Sequence, residues 1–164
     1  MKKRSIFFLF LISYLFCACS NKNQEETLKN LRHQALFYTQ KNKILEKDLN
    51  AVLIMTYINP VLEEYEKDEI FVLSLAPKEF EIHSFDIYMG SEKAKIEPIQ
   101  ENNELLKYFI TNTHAKYFKA SFSNKDLQTL KTKICINSQC FELNFQKYSK
   151  SLYYRSEDVD TQYN

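Results

Sequence analysis

The chain is 164 residues long, within the range of a single domain with one core. Its 22 lysines and arginines against 21 aspartates and glutamates give a net charge of +1, and Lys and Glu alternate without forming blocks, so there is no basic footprint for nucleic acid. Gly90 is the sole glycine. Phosphate-cradling loops, dinucleotide folds and nucleophile elbows need several, because their backbone must approach a ligand closely or adopt positive φ, and these enzyme classes are excluded together.

Met1-Lys2-Lys3-Arg4 is a positive start, followed by an apolar run of 12 residues, Ser5–Phe16. A bilayer-spanning helix takes roughly 20 apolar residues, so this run has the length of a signal-peptide core and not of a permanent anchor. The next residues, Leu15-Phe16-Cys17-Ala18-Cys19-Ser20, resemble the lipobox of bacterial lipoproteins, with small Ala18 before the modified cysteine. Phe16 departs from the usual leucine, although Leu15 stands beside it. The resemblance implies that the Cys19 thiol receives diacylglycerol, that residues 1–18 are cut away and that the new amine is acylated. Cys17 is a poorer acceptor, because bulky Phe16 would occupy the cleavage position. Each buried methylene contributes about 0.8 kcal/mol, so several acyl chains hold a protein to a membrane permanently for practical purposes. Ser20 stands where the family's inner-membrane signal is usually Asp, which implies the outer membrane. Loss of Lys2, Lys3 and Arg4 from the 22 bases leaves 19 against 21 acids, a mature charge of about −2 with His neutral.

Ser20–Gln24 is a short polar tether. Across Glu25–Leu36, the helical spacing of Leu28, Leu31 and Ala35, with Glu25 and Glu26 in the first turn, predicts a helix. Phe37–Lys47 fits either a continuation of that helix or an edge strand. Ala51–Ile58 and Glu69–Ala76 are short runs of β-formers bounded by Asn59-Pro60 and Pro77, the pattern of strands buried on both faces. Ile82–Met89 places Phe85, Ile87 and Met89 on alternate positions and ends in a turn at Met89-Gly90-Ser91. Ala94–Ile99 carries Pro98, which suits an edge strand. Leu105–Thr111 and Lys116–Phe122 continue the series of strands, and Ser123–Asp126 makes a turn.

Leu130–Lys147 predicts a hairpin. A two-residue turn at Asn137-Ser138 sets Ile136 opposite Gln139, Cys135 opposite Cys140, Ile134 opposite Phe141, Lys133 opposite Glu142, Thr132 opposite Leu143 and Leu130 opposite Phe145. One register therefore collects an apolar face and a polar face with a Lys–Glu pair, and a slip by one residue would destroy both. In this register Cys135 and Cys140 occupy a narrow cross-strand position with Cβ atoms close enough to bridge. An exported chain meets an oxidising compartment, where the two remaining cysteines bond. The loop closed is so short that its entropy is worth at most roughly 2 kcal/mol. The alternative, a redox or metal pair, has C-x4-C spacing and no second ligand pair beside it.

Short strands at these intervals predict a mainly β chain, a small antiparallel β-sandwich with a short N-terminal helix and lipid tether before it. Immunoglobulin-like topology is one alternative among sandwiches; the absence of Trp and of two distant cysteines gives no sign of an antibody-type domain. The divisions are a signal peptide over 1–18, tether and helix over 19–48, the sandwich over 49–147 and a polar, Tyr-rich tail over 148–164.

Chemistry-bearing patterns are sparse. His33, His83 and His114 stand in no zinc spacing. On a strand His83 would share a face with Glu81 while Asp86 points away, a candidate metal or general-base site that solvated residues on an edge strand explain as well. The serines lack G-x-S-x-G or S-x-x-K context, and Glu63, Glu64 and Glu66 suit a solvated loop. The expectation is no catalytic residue, no metal and no cofactor. In the tail, Tyr148, Tyr153, Tyr154 and Arg155 are candidates for contact with a partner, since interfaces favour Tyr and Arg; a genome-wide bias towards Lys, Asn, Ile, Phe and Tyr explains the same composition.

With its lipobox, helical tether, Thr56-Tyr57-Ile58-Asn59-Pro60 strand end and Phe-rich final hairpin, the chain resembles small lipoproteins of Campylobacter- and Helicobacter-type bacteria. The resemblance implies a location and a β-rich domain without a reaction. The expected function is a non-enzymatic envelope lipoprotein, bound to the membrane through lipid on Cys19, presenting its sandwich to an envelope protein partner. The alternatives are a carrier of an apolar ligand or lipid, which calls for an apolar cavity inside the sandwich in place of a filled core, and a wall-acting hydrolase, which calls for a pocket grouping His83 or His114 with a carboxylate.

Overall fold

The computed structural model describes residues 24–47, 49–62 and 67–147. A helix, α1, spans 24–37, with Leu31 and Ala35 turned inward. Its end is fixed by Ala35, whose carbonyl accepts from Tyr38 N at 3.2 Å and Thr39 Oγ1 at 2.8 Å. The chain then enters β1, Thr39–Ile44. Of the two readings of Phe37–Lys47 the edge strand is the one realised, and the first sheet begins inside the stretch assigned to tether and helix.

The remaining strands are β2 (Ala51–Tyr57), β3 (Asp68–Ala76), β4 (Phe85–Met89), β5 (Glu92–Lys93), β6 (Lys95–Ile99), β7 (Lys116–Ser123), β8 (Thr129–Ile136) and β9 (Gln139–Gln146). They form two antiparallel sheets, a five-stranded one ordered β1-β2-β3-β7-β6 and a four-stranded one ordered β5-β4-β8-β9. The architecture is a β-sandwich. Alternation along each strand fills the space between the sheets. Leu53, Met55 and Tyr57 of β2, with Phe71, Leu73 and Leu75 of β3, face Ile87 of β4, Leu130, Ile134 and Ile136 of β8 and Phe145 of β9. Phe71 is central: its ring lies 5.1 Å from Tyr57, 5.9 Å from Phe122 and 5.1 Å from Phe145 between centroids.

The final hairpin has the register derived above, pair by pair from Leu130–Phe145 to Ile136–Gln139. Thr132, the polar residue in its inward row, is buried, and its hydroxyl donates to Leu143 O at 3.1 Å. Cys135 and Cys140 are disulfide-bonded across the strands, with Cα atoms 4.1 Å apart, on the outward face. Asn137 adopts φ of 52°, a left-handed position that Asn tolerates better than most residues. Its side chain also anchors a neighbouring loop: Oδ1 accepts from His83 N at 2.8 Å, and Nδ2 donates to Glu46 Oε1 at 2.7 Å and Glu81 O at 3.0 Å. This is why β4 starts at Phe85 and not at Ile82.

Leu105–Thr111 is not a strand. Glu104–Tyr108 forms a 3-10 helix, capped by Asn103, whose Oδ1 accepts from Leu105 N at 2.9 Å, with Glu104 and Lys107 paired across one turn. The cap and the first-turn acid outweigh the apolar run as local signals.

Two polar knots fasten the sheets. Glu69, the second residue of β3, is on the core side and is fully buried. It accepts from Tyr57 OH at 2.6 Å and Lys125 N at 2.9 Å, and Lys147 Nζ lies 2.7 Å away, just after β9. Glu92 of β5 accepts from Ser123 N and Ser123 Oγ, each at 2.8 Å, and pairs with Lys125. The Lys125 ammonium, aided by both Ser123 donors, holds the Glu92 carboxyl down at about 2. A depressed acid contributes stability above its unfolded value and loses it as pH falls through the folded value. The Glu92 tie should therefore persist on acidification from pH 4.5 towards 2, and its side-chain carboxyl resonance should titrate near 2; a midpoint near the ordinary glutamate value would show that the tie is not formed.

Candidate binding groove

The two faces of β2 are unequal. Ala51, Leu53, Met55 and Tyr57 enter the core, whereas outward-pointing Val52 and Ile54 remain 38% and 39% exposed. The expectation that this strand is buried on both faces fails at these residues, and it holds for β3 over most of its length. The reason is the placement of the covering elements. Ala35 of α1, Leu106 of the 3-10 helix and Ala115 pack on Ile58, Ile70, Val72 and Tyr117, forming a second apolar cluster over one half of the outer face. Nothing among the described residues covers the other half.

The uncovered half is a groove of about 750 Å³. Strand register builds its floor in rows. Val52 lies opposite Ala76; Lys41, Ile54, Ser74 and Tyr117 form the next row; Thr39, Thr56 and Val72 the third. Arg32 and Leu36, four residues apart and so on one helix face, make one wall. Phe109–Asn112 makes the other. Arg32 Nε donates to Lys107 O at 2.6 Å, which ties the two walls together. Five hydroxyls line the groove, those of Thr39, Thr56, Ser74, Thr111 and Tyr117, and three of them are engaged within the protein. Thr39 Oγ1 and Thr56 Oγ1 share a hydrogen bond of 2.8 Å, and Tyr117 OH donates to Asn112 O at 3.0 Å while accepting from Asn112 N at 2.5 Å. What remains is an apolar trough, with Ile110 77% and Leu36 51% exposed on its rims. Its lining includes the cations Arg32 and Lys41 and no carboxylate.

The residue set around His83 considered from sequence does not assemble into chemistry. Glu81 and His83 belong to the loop before β4, not to a strand; their side chains are 83% and 74% exposed and lie 3.9 Å apart. Asp86 is engaged elsewhere, 2.7 Å from Lys93, whose hydrogen bond holds its carboxyl below the usual value. Among the described residues no three His, Cys, Asp or Glu come close enough to hold a metal ion, and no helix is long and apolar enough to cross a membrane. Cys19, the acidic run Glu63, Glu64 and Glu66, and the tail residues Tyr148, Tyr153, Tyr154 and Arg155 lie outside the described residues. The bonded Cys135–Cys140 pair is on the four-stranded sheet, away from the groove.

Sequence reasoning missed the groove because a bare apolar stripe on a strand looks the same whether or not something covers it. One signal was present. Val52 and Ile54 need a second layer, and α1 is a single short amphipathic element, too small to cover the whole sheet. No family model, curated protein or solved structure matches the chain.

Proposed function

We propose that this chain is a non-enzymatic lipoprotein of the bacterial envelope, bound to the outer membrane through lipid on Cys19, that works by binding another molecule on the outer face of its larger sheet. The observation that supports a binding role is the groove: a concave apolar surface, framed by two side walls, on a sandwich whose interior is filled by its own side chains. The alternative of an apolar-ligand carrier fits this external trough, in place of the cavity between the sheets expected from sequence. Contact with an envelope protein draws support from the projecting side chains of Ile110 on its rim and of Phe37, 68% exposed at the end of α1.

The anchor is tested first. Cys19→Ala should abolish metabolic labelling by a fatty acid and move the protein from the membrane to the soluble fraction. Retention in the membrane with the label gone would remove the anchor from the account.

A further inference from the structure

We infer that the groove's occupant is a single apolar chain ending in an anionic head, the chemistry of a fatty acid; this rests on the groove being the binding face. Three features of the trough lead there. Its volume of about 750 Å³ is within the roughly 300–1,000 Å³ that enclose one small ligand, and its β2–β3 floor is Val52, Ile54, Val72 and Ala76 interrupted by the small hydroxyls of Ser74 and Thr56, with no charged side chain among them. The charges that line it are of one sign: Lys41 of β1, directly across from Ile54, and Arg32 of the α1 wall. The hydroxyls of Thr39, Thr56 and Tyr117 are already bonded within the protein, so beside the neutral side chains of Gln40, Ser74, Thr111 and Asn112 the charged groups the groove offers a ligand are its two cations. The negative end of the α1 dipole, which would repel such a head, is moderated where Thr39 Oγ1 and Tyr38 N take up the Ala35 carbonyl. The apolar chain lies along the β2–β3 floor and the carboxylate meets Lys41 at its edge-strand side.

The test is fluorescence titration of the mature-length chain with cis-parinaric acid and with its methyl ester, in protein carrying Cys19→Ser so that no acyl group of its own competes. The acid should saturate one site per chain, and the ester should bind about tenfold more weakly, the effect of one charge-assisted contact. Ile54→Glu should abolish binding of both probes. Lys41→Glu should weaken the acid and leave the ester unchanged, and it provides a second route if Ile54→Glu does not fold. Equal affinity for acid and ester would overturn the assignment of the head while leaving a groove that binds. Absence of saturable binding by either probe, or binding unaffected by both substitutions, would overturn the inference outright. Photo-cross-linking from the groove to a protein alone would do so too, and the binding-face proposal would survive that result.

Discussion

Phe71→Ala should lower the unfolding free energy by about 3–5 kcal/mol, the cost of emptying a fully buried aromatic site. The ring has no exposed surface and contacts Tyr57 on its own sheet, Phe122 on β7 and Phe145 on the opposite sheet, so no single neighbour can move to fill the void. Domains of this kind are stable by only about 5–15 kcal/mol, so much of the margin would be lost. Half-buried Phe85, stacked edge-on with Phe118 at 5.2 Å, is the comparison: Phe85→Ala should cost clearly less. Urea denaturation of both variants decides the matter, and equal losses would mean that the aromatic cluster is not the centre of the core.

Lys147→Met should be the most damaging change to a charged residue, at about 3–5 kcal/mol, because it strands the buried Glu69 carboxylate. Glu69 has a side chain only 1% exposed and Lys147 one that is 16% exposed. Tyr57 OH and Lys125 N still donate to the carboxylate, but neither neutralises it. Glu69→Gln removes the charge, keeps an acceptor oxygen for Lys125 N, turns an amide NH2 towards Tyr57 OH, whose oxygen can accept in place of donating, and leaves Lys147 with Asn124 Oδ1 and Lys125 O. It should therefore cost less than Lys147→Met in the same urea titrations. The reverse order would show that the network's value lies in the Glu69 hydrogen bonds and not in its charge pairing.

Local pattern and tertiary placement were legible to different degrees. In β8–β9, two independent constraints agree, the alternation of apolar residues and the residue preferences of a two-residue turn, so a single register survives. Glu69 was also readable in part. It shares parity with Phe71, Leu73 and Leu75 and so points to the core, although reading it as a polar strand boundary hides this. Its partner Lys147 could not be found locally, because the pairing depends on how β9 ends beside β3. At 105–111 an apolar run suggested a strand, but Asn103 and Glu104 set a capped helical turn. For Val52 and Ile54, hydrophobicity was legible and burial was not, since burial depends on how far α1 and the 3-10 helix reach across the sheet. The groove is therefore a property of the arrangement, assembled from residues that individually look like ordinary core and surface.

A direct measurement compares the two outer faces of the sandwich in intact cells. A photo-cross-linking residue placed at Ile54, on the groove floor, should give a discrete adduct, whether lipid or protein. The same residue at Lys133, paired with Glu142 on the outward face of the four-stranded sheet, should give none. Adducts at 133 with none at 54 would contradict the assignment of the groove as the binding face.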